Sequence, residues 1–230
     1  MGSLFTEILY RPLFNGVIAL YNILPGNDFG FAIVALTILI RLALAPLSVR
    51  TLRSQQALAR LAPQIQTIRE RHKDNQSAQT AELMKLYREY KIHPLSGCLP
   101  FLIQLPILIA LYQAFLAGFK PENLKLLYAF VYNPGTIQTT SFGFFDITAP
   151  SAFLAITAGA LQFIHAKVTT QFQQPTGIAG QASRQLLYFF PLLIVIISWN
   201  LPAGLALYWV AATLFSLGEQ LFLFRGKPST

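Results

Sequence analysis

Charge is scarce in this chain. Only 11% of its 230 residues are charged, against about 25% in soluble domains. Carboxylates are the scarcest, with nine Asp and Glu against seventeen Lys and Arg. No two acids share an apolar stretch, which argues against a proton pump or carboxylate chemistry in a membrane. There is a single cysteine, Cys98, so no internal disulfide can form. Its flanks, Ser96-Gly97-Cys98-Leu99-Pro100, offer no metal-ligand spacing. Of the three histidines, His93 and His165 have no carboxylate or histidine at ligand spacing. The HExxH, GxSxG and P-loop patterns are missing. An enzyme, a metal site or a cofactor is therefore not expected. The start of the chain shows no positive cluster followed by a short apolar run and a cleavage site, so no cleavable signal peptide is expected.

What is abundant is apolar. Hydrophobic residues make up 54% of the chain, phenylalanine alone numbers 19, and mean hydropathy is +0.50. A bilayer core about 30 Å thick needs about 20 apolar residues in a helix. Five segments meet or approach that length: 29–48, 98–119, 149–166, 185–200 and 202–224. The fourth is the shortest, and a short span favours local thinning of the bilayer.

The basic residues orient these segments. Nine of the seventeen (Arg50, Arg53, Arg60, Arg69, Arg71, Lys73, Lys85, Arg88 and Lys91) lie between the first and second spans. The positive-inside rule places that connection in the cytoplasm. The other loops agree. Lys120 and Lys125 are balanced by Glu122 and Asp146 on the outer side. Lys167 and Arg184 lie inside without an acid, and the tail with Arg225 and Lys227 falls inside. The expectation is a multi-pass protein of the cell membrane, plasma or inner. Its N-terminus is outside and its C-terminus is in the cytoplasm.

Residues 4–24 are more polar than the five spans, and the alternative to the reading that follows is a re-entrant or fully spanning segment. Leu4, Phe5, Ile8, Leu9, Leu13, Leu20 and Leu24 share much of one face, which predicts a helix lying in the outer interface. Pro25-Gly26-Asn27 is a turn signal. In the basic connection, Leu58, Leu61, Ile65 and Ile68 repeat with helical spacing, as do Leu83, Leu86, Tyr87 and Tyr90. The polar stretch from His72 to Gln79 separates them, so a helical hairpin is expected. The chain then divides into an interfacial arm (1–27), a first span (28–50), a cytoplasmic hairpin (51–93) and a second span (94–119). An extracytoplasmic loop (120–148), a third span (149–167), a cytoplasmic loop (168–184), a fourth span (185–200), a fifth (202–224) and a tail (225–230) complete it.

Arg41 interrupts the first span. An arginine near the centre of a membrane helix costs about 2.5–3.5 kcal/mol on insertion scales, so a polar surrounding or a function is expected. The alternatives are a side chain snorkelling to the inner interface and an ion pair with Glu219 in the fifth span.

Several motifs carry a resemblance. The second span begins His93-Pro94-Leu95-Ser96-Gly97-Cys98-Leu99-Pro100 and continues Gln104-Leu105-Pro106-Ile107. The fourth contains Phe189-Phe190-Pro191. The fifth opens Leu201-Pro202-Ala203-Gly204-Leu205, then Leu207-Tyr208-Trp209. With an arginine in the first span and a charged hairpin after it, the chain resembles the YidC/Oxa/Alb family of membrane protein insertases. It departs from the common pattern at His93, where an asparagine is usual.

The resemblance implies an all-α polytopic membrane protein. Five transmembrane helices surround a hydrophilic groove, with an N-terminal interfacial helix and a cytoplasmic hairpin, and without a large extracytoplasmic domain. The groove opens to the cytoplasm and to lipid and receives hydrophobic segments of nascent proteins. Arg41, Thr37, Tyr208, Trp209 and, more loosely, Gln162 match or line it. Nascent membrane proteins, the ribosome, the Sec translocon of bacterial members and the bilayer are the implied partners, with no small-molecule substrate. Arg60, Arg69, Arg71, Lys73, Lys85 and Arg88 would present positive charge to ribosomal RNA or anionic lipid. The rival reading is a small-anion channel or transporter, against which stands the lack of an internal repeat.

Overall fold

The computed structural model describes residues 3–90, 92, 99–117, 121–172 and 177–224. For residues 3, 99–102, 116–117, 121–122, 170–172, 177–187 and 224 the description extends to the backbone only. The motif from His93 to Cys98, Lys91, residues 173–176 and the tail 225–230 lie outside the described residues.

The chain opens with a continuous helical arm: α1 (Ser3–Phe5), a π-helical segment (Thr6–Tyr10) and α2 (Arg11–Ile23). The stripe expected from the sequence flanks the buried face of this arm and does not form its centre: Phe5, Leu9, Leu13, Leu20 and Leu24 are partly buried against the core. Leu4 and Ile8 are exposed, whereas Tyr10, Phe14, Val17, Ile18 and Tyr21 are buried in the main core. Two of those five are tyrosines and three have bulky apolar side chains. The large aromatic residues offer more area to bury than the leucines do, and they take the inward face. The arm packs on α3 and α6.

Its polar residues turn to the loop between α6 and α7. Asn15 is buried. Its amide donates to the Leu126 carbonyl at 3.1 Å, and its oxygen accepts from the Tyr128 N–H at 2.6 Å. Arg11 donates to the same carbonyl and lies over the Tyr128 ring. Asn22 donates to the Tyr132 carbonyl, and the Tyr21 hydroxyl accepts from the Gln138 N–H. The loop is thus tied to the arm through backbone groups. It contains a 3-10 helix (Pro121–Leu126) and a hairpin of β1 (Thr140–Ser141) and β2 (Phe145–Asp146), paired antiparallel with Thr140 opposite Asp146. The hydroxyl and backbone N–H of Thr148 hold the Asp146 carboxyl below its usual range.

Gly26 and Asn27 both take positive φ, and this turn leads into α3 (Phe29–Arg60). Asp28 caps α3 by accepting from the N–H groups of Gly30 and Phe31, and its other oxygen accepts from the Phe142 N–H. The Gly30 N–H also donates to the Ser141 hydroxyl at 2.8 Å. A Cβ on Gly30 would fall 2.7 Å from the Phe142 ring. Only glycine lets the β hairpin sit against the first turn of α3.

α3 has 32 residues, about 48 Å of helix, and so extends well beyond the expected end of the first span near residue 50. It runs directly into the hairpin, where α4 (Ala62–Arg71) and α5 (Gln76–Glu89) fold back on one another. Leu61, Ile65 and Ile92 are buried between them, flanked by Leu58, Leu83, Leu86 and Tyr87. Both predicted stripes therefore meet, although Tyr90 stays largely exposed. Asn75 caps α5, and Glu82 reaches Arg71 and His72 across the turn.

The remaining helices are α6 (Leu99–Ala117), α7 (Ala152–Phe172), α8 (Gly177–Trp199) and α9 (Ala203–Phe224). α8 has 23 residues, so the helix begins two turns before the expected fourth span, while its apolar stretch is short. Its apolar described part is Tyr188–Trp199. Helices α3, α7 and α9 are each long and apolar enough to cross a membrane, and Ile103–Phe115 within α6 is a shorter apolar stretch. α9 occupies the middle of the assembly, in contact with α3, α6, α7 and α8. Its first half (Ala203, Leu205, Ala206 and Tyr208) is nearly inaccessible. Large exposed side chains such as Leu39, Leu42, Phe153, Ile156, Leu192, Ile196, Leu221 and Phe222 cover the outside, as expected for helices solvated by lipid rather than water.

Candidate functional site

The polar side chains within the apolar helices gather along α9. One group lies where α3, α6 and α9 meet. Arg41 on α3 donates through Nη2 to Gln104 Oε1 on α6 at 3.0 Å. The Gln104 amide donates in turn to the Tyr208 hydroxyl on α9 at 2.6 Å. Gln104 uses both ends of its amide and so connects three helices. Its oxygen is spent on a charge-assisted bond, the stronger kind.

Thr37 sits one turn before Arg41. Its hydroxyl donates to the Ile33 carbonyl of its own helix, and the residue is 1% exposed. Thr37 and Tyr208 line a small cavity together with Val17, Ile33, Leu36, Ile40 and Leu111. That space is water-sized and cannot hold a polypeptide. Trp209 follows Tyr208 on α9 and is half-buried.

The second group joins α7 to α9. Gln162, His165 and Thr169 recur at helical spacing on α7. The Gln162 oxygen accepts from Thr213 at 3.4 Å. Gln220, 4% exposed, lies 3.1 Å from His165 Nε2 and bonds to the Thr169 hydroxyl. Of the residues singled out in the sequence, Arg41, Thr37 and Tyr208 come together, and Gln162 belongs to this neighbouring seam.

Glu219 is not in contact with Arg41. Its Oε2 accepts from Ser48 at 2.9 Å, and no ion pair joins Arg41 to a carboxylate among the described residues. The ion pair weighed from the sequence is replaced by two separate hydrogen bonds. Arg41 therefore keeps its charge next to a neutral amide, with four of its five guanidinium N–H donors left beyond that bond.

Gln104 and Ser48 are the members of this arrangement that the sequence reading did not assign. Both are polar residues in otherwise apolar spans, and that is the signal that marks them. In the hairpin, Arg60, Arg71, Lys73, Lys85 and Arg88 are exposed and Arg69 is half-buried. Arg71 is engaged by Glu82 at 3.4 Å.

Comparison with known proteins decides the family. The family described as 60Kd inner membrane protein matches residues 19–229. The chain belongs to the 60Kd inner membrane protein family. It is 30% identical over 200 residues to the membrane protein insertase YidC of Fusobacterium nucleatum, covering 86% of this chain and 87% of that one. It is 34% identical to the membrane protein insertase YidC of Mannheimia succiniciproducens, covering 94% of this chain but only 36% of the relative. A crystal structure of an active YidC insertase with the first transmembrane domain resolved superimposes with a TM-score of 0.64 at 28% identity, over 91% of this chain and 45% of that one. The chain thus spans nearly all of one relative and about a third to a half of the others. Family membership and the apolar helices together make it a multi-pass membrane protein.

Proposed function

We propose that this chain is a membrane insertase, not an enzyme. It takes hydrophobic segments of nascent proteins into the bilayer along the polar side of α9, and Arg41 draws in the polar or acidic tail that must cross. The observation that carries the reading is the bonding of Arg41. Its charge is held in an apolar span by Gln104 without a neutralising carboxylate, in a chain whose relatives are named insertases. Five spans, from α3, α6, α7, α8 and α9, enclose a groove open to the cytoplasm and to lipid, with the N-terminus outside and the C-terminus inside. Thr37 and Tyr208 form its back wall. Gln162 and Trp209 line it.

The physics is that of a divided barrier. Burying the hydrophobic segment is downhill by about 25 cal/mol per Å² of apolar surface. The uphill part is the polar tail in hydrocarbon, where each unsatisfied polar group costs several kcal/mol. A fixed positive charge with spare donors lowers that part. Screening is weak away from bulk water, so the attraction extends further than it would in solution.

The hairpin extends α3 past the membrane and carries exposed Arg60, Lys73, Lys85 and Arg88, which suit a ribosomal RNA or anionic lipid surface; the Sec translocon is a further partner under this reading. Reconstitution separates the insertase from an anion channel. Liposomes holding only this protein should protect the tail of a short acidic-tailed substrate from added protease, and should show no chloride or phosphate flux above empty liposomes. Anion flux without tail protection would establish the channel instead.

A further inference from the structure

Glu219 is the one acidic side chain described within the apolar part of α9, and half of its carboxylate is unused. Oε2 accepts from Ser48 at 2.9 Å. Oε1 is shielded from solvent and has no hydrogen-bond partner. A buried acceptor left unpaired costs about 1–3 kcal/mol, and more when it is charged. Arg41 does not relieve it: its guanidinium bonds to Gln104, and no ion pair joins it to Glu219. Ser48 lies seven residues beyond Arg41 on α3, about 10 Å further along the helix. Under the orientation proposed above, Glu219 therefore sits nearer the cytoplasm than Arg41 by about that distance.

We infer that Glu219 is a second substrate-binding residue, which receives a Lys or Arg side chain flanking the cytoplasmic end of the inserting segment. Resting on the insertase reading, this gives the site two poles. Arg41, deeper in the membrane, takes the acidic tail that leads. Glu219, nearer the cytoplasm, takes the basic flank that stays behind. The spare Oε1 supplies the acceptor for an ammonium or guanidinium donor, and Ser48 fixes the other oxygen so that Oε1 is presented in one direction. The poles are about 10 Å apart, closer than the two ends of a spanning segment of about 20 residues, so they act in turn, Arg41 on the entering tail and Glu219 on the flank that follows. A site built in this way reads the polarity of a segment as well as its hydrophobicity.

The test uses two substrates with the same acidic tail and hydrophobic segment, one with two lysines after the segment and one with two serines, in liposomes holding the full chain. The wild-type protein should insert the lysine-flanked substrate about fivefold better, a factor in the range of a single partly screened ion pair. In Glu219→Gln that preference should fall to about one, with insertion of the serine-flanked substrate unchanged. Glu219→Asp should restore part of the preference. Equal loss for both substrates in Glu219→Gln, or an unchanged preference, would overturn the inference and leave the insertase reading standing. Absence of insertion of both substrates by the wild-type protein would overturn the insertase reading, and this inference with it.

Discussion

Arg41→Ala should lower insertion of an acidic-tailed substrate by about tenfold, and that of a neutral-tailed substrate by much less. The prediction follows from the bonding of Arg41. Two unit charges 4 Å apart attract by about 4 kcal/mol at an effective dielectric constant of 20, and by about 1 kcal/mol in water. A half-buried guanidinium in a wet groove falls between these limits. A tenfold effect corresponds to about 1.4 kcal/mol, near the lower end. The fold should survive the change, because the bond from Gln104 to Tyr208 at 2.6 Å still joins α6 to α9. Arg41→Lys should be milder. It keeps the charge but loses the fork of donors that allows one bond to Gln104 while others face the substrate. Insertion assays at matched protein levels check this, with the ratio of acidic-tailed to neutral-tailed substrate as the readout. Loss of both substrates alike would mean that Arg41 is structural.

Gly159→Leu should lower the unfolding temperature in detergent by about 5–10 °C, taking about 2–4 °C per kcal/mol for a chain of this size. Gly159 on α7 lies where that helix crosses α8. A Cβ there would be 2.2 Å from Val195 Cγ2 and 3.2 Å from the Pro191 carbonyl. In membranes, helices associate by close packing at small residues rather than by a hydrophobic drive, so the approach at Gly159 is a large part of what holds α8 in place. Overpacking typically costs about 1–3 kcal/mol. Here the nearest atom belongs to a side chain that can be shortened. Adding Val195→Ala should therefore recover part of the loss. The recovery should be incomplete, because the Pro191 carbonyl is backbone and cannot be trimmed. Thermal unfolding followed by fluorescence or aggregation gives both values.

Much of this architecture was legible in the sequence because its signals are local. Apolar length marked α3, α7 and α9, and the paired stripes around Leu61 and Leu86 marked the hairpin. Arg41 stood out because a charge in a bilayer needs a reason. What was not legible depends on contacts distant in sequence. The inward face of the arm is set by Tyr10, Phe14 and Tyr21 fitting against α3 and α6, and helical spacing alone does not reveal which face will be covered. The order of the loop from Pro121 to Ala149 comes from Asn15, Asp28 and Gly30, each more than 100 residues from the loop group it bonds. Charge alone suggested Glu219 as the partner of Arg41. A neutral amide from α6 took that place, and a hydroxyl of α3 took Glu219, because geometry decides among partners that chemistry permits.

The central claim is that a nascent segment passes along the polar side of α9, and site-specific crosslinking to a stalled nascent chain tests it most directly. Photoreactive residues placed at Gln104, Gln162 and Trp209 should each capture the hydrophobic segment of a ribosome-bound substrate, while one at Phe222, on the exposed outer face of α9, should capture it far less. Capture at Phe222 with silence at Gln104, Gln162 and Trp209 would contradict the account.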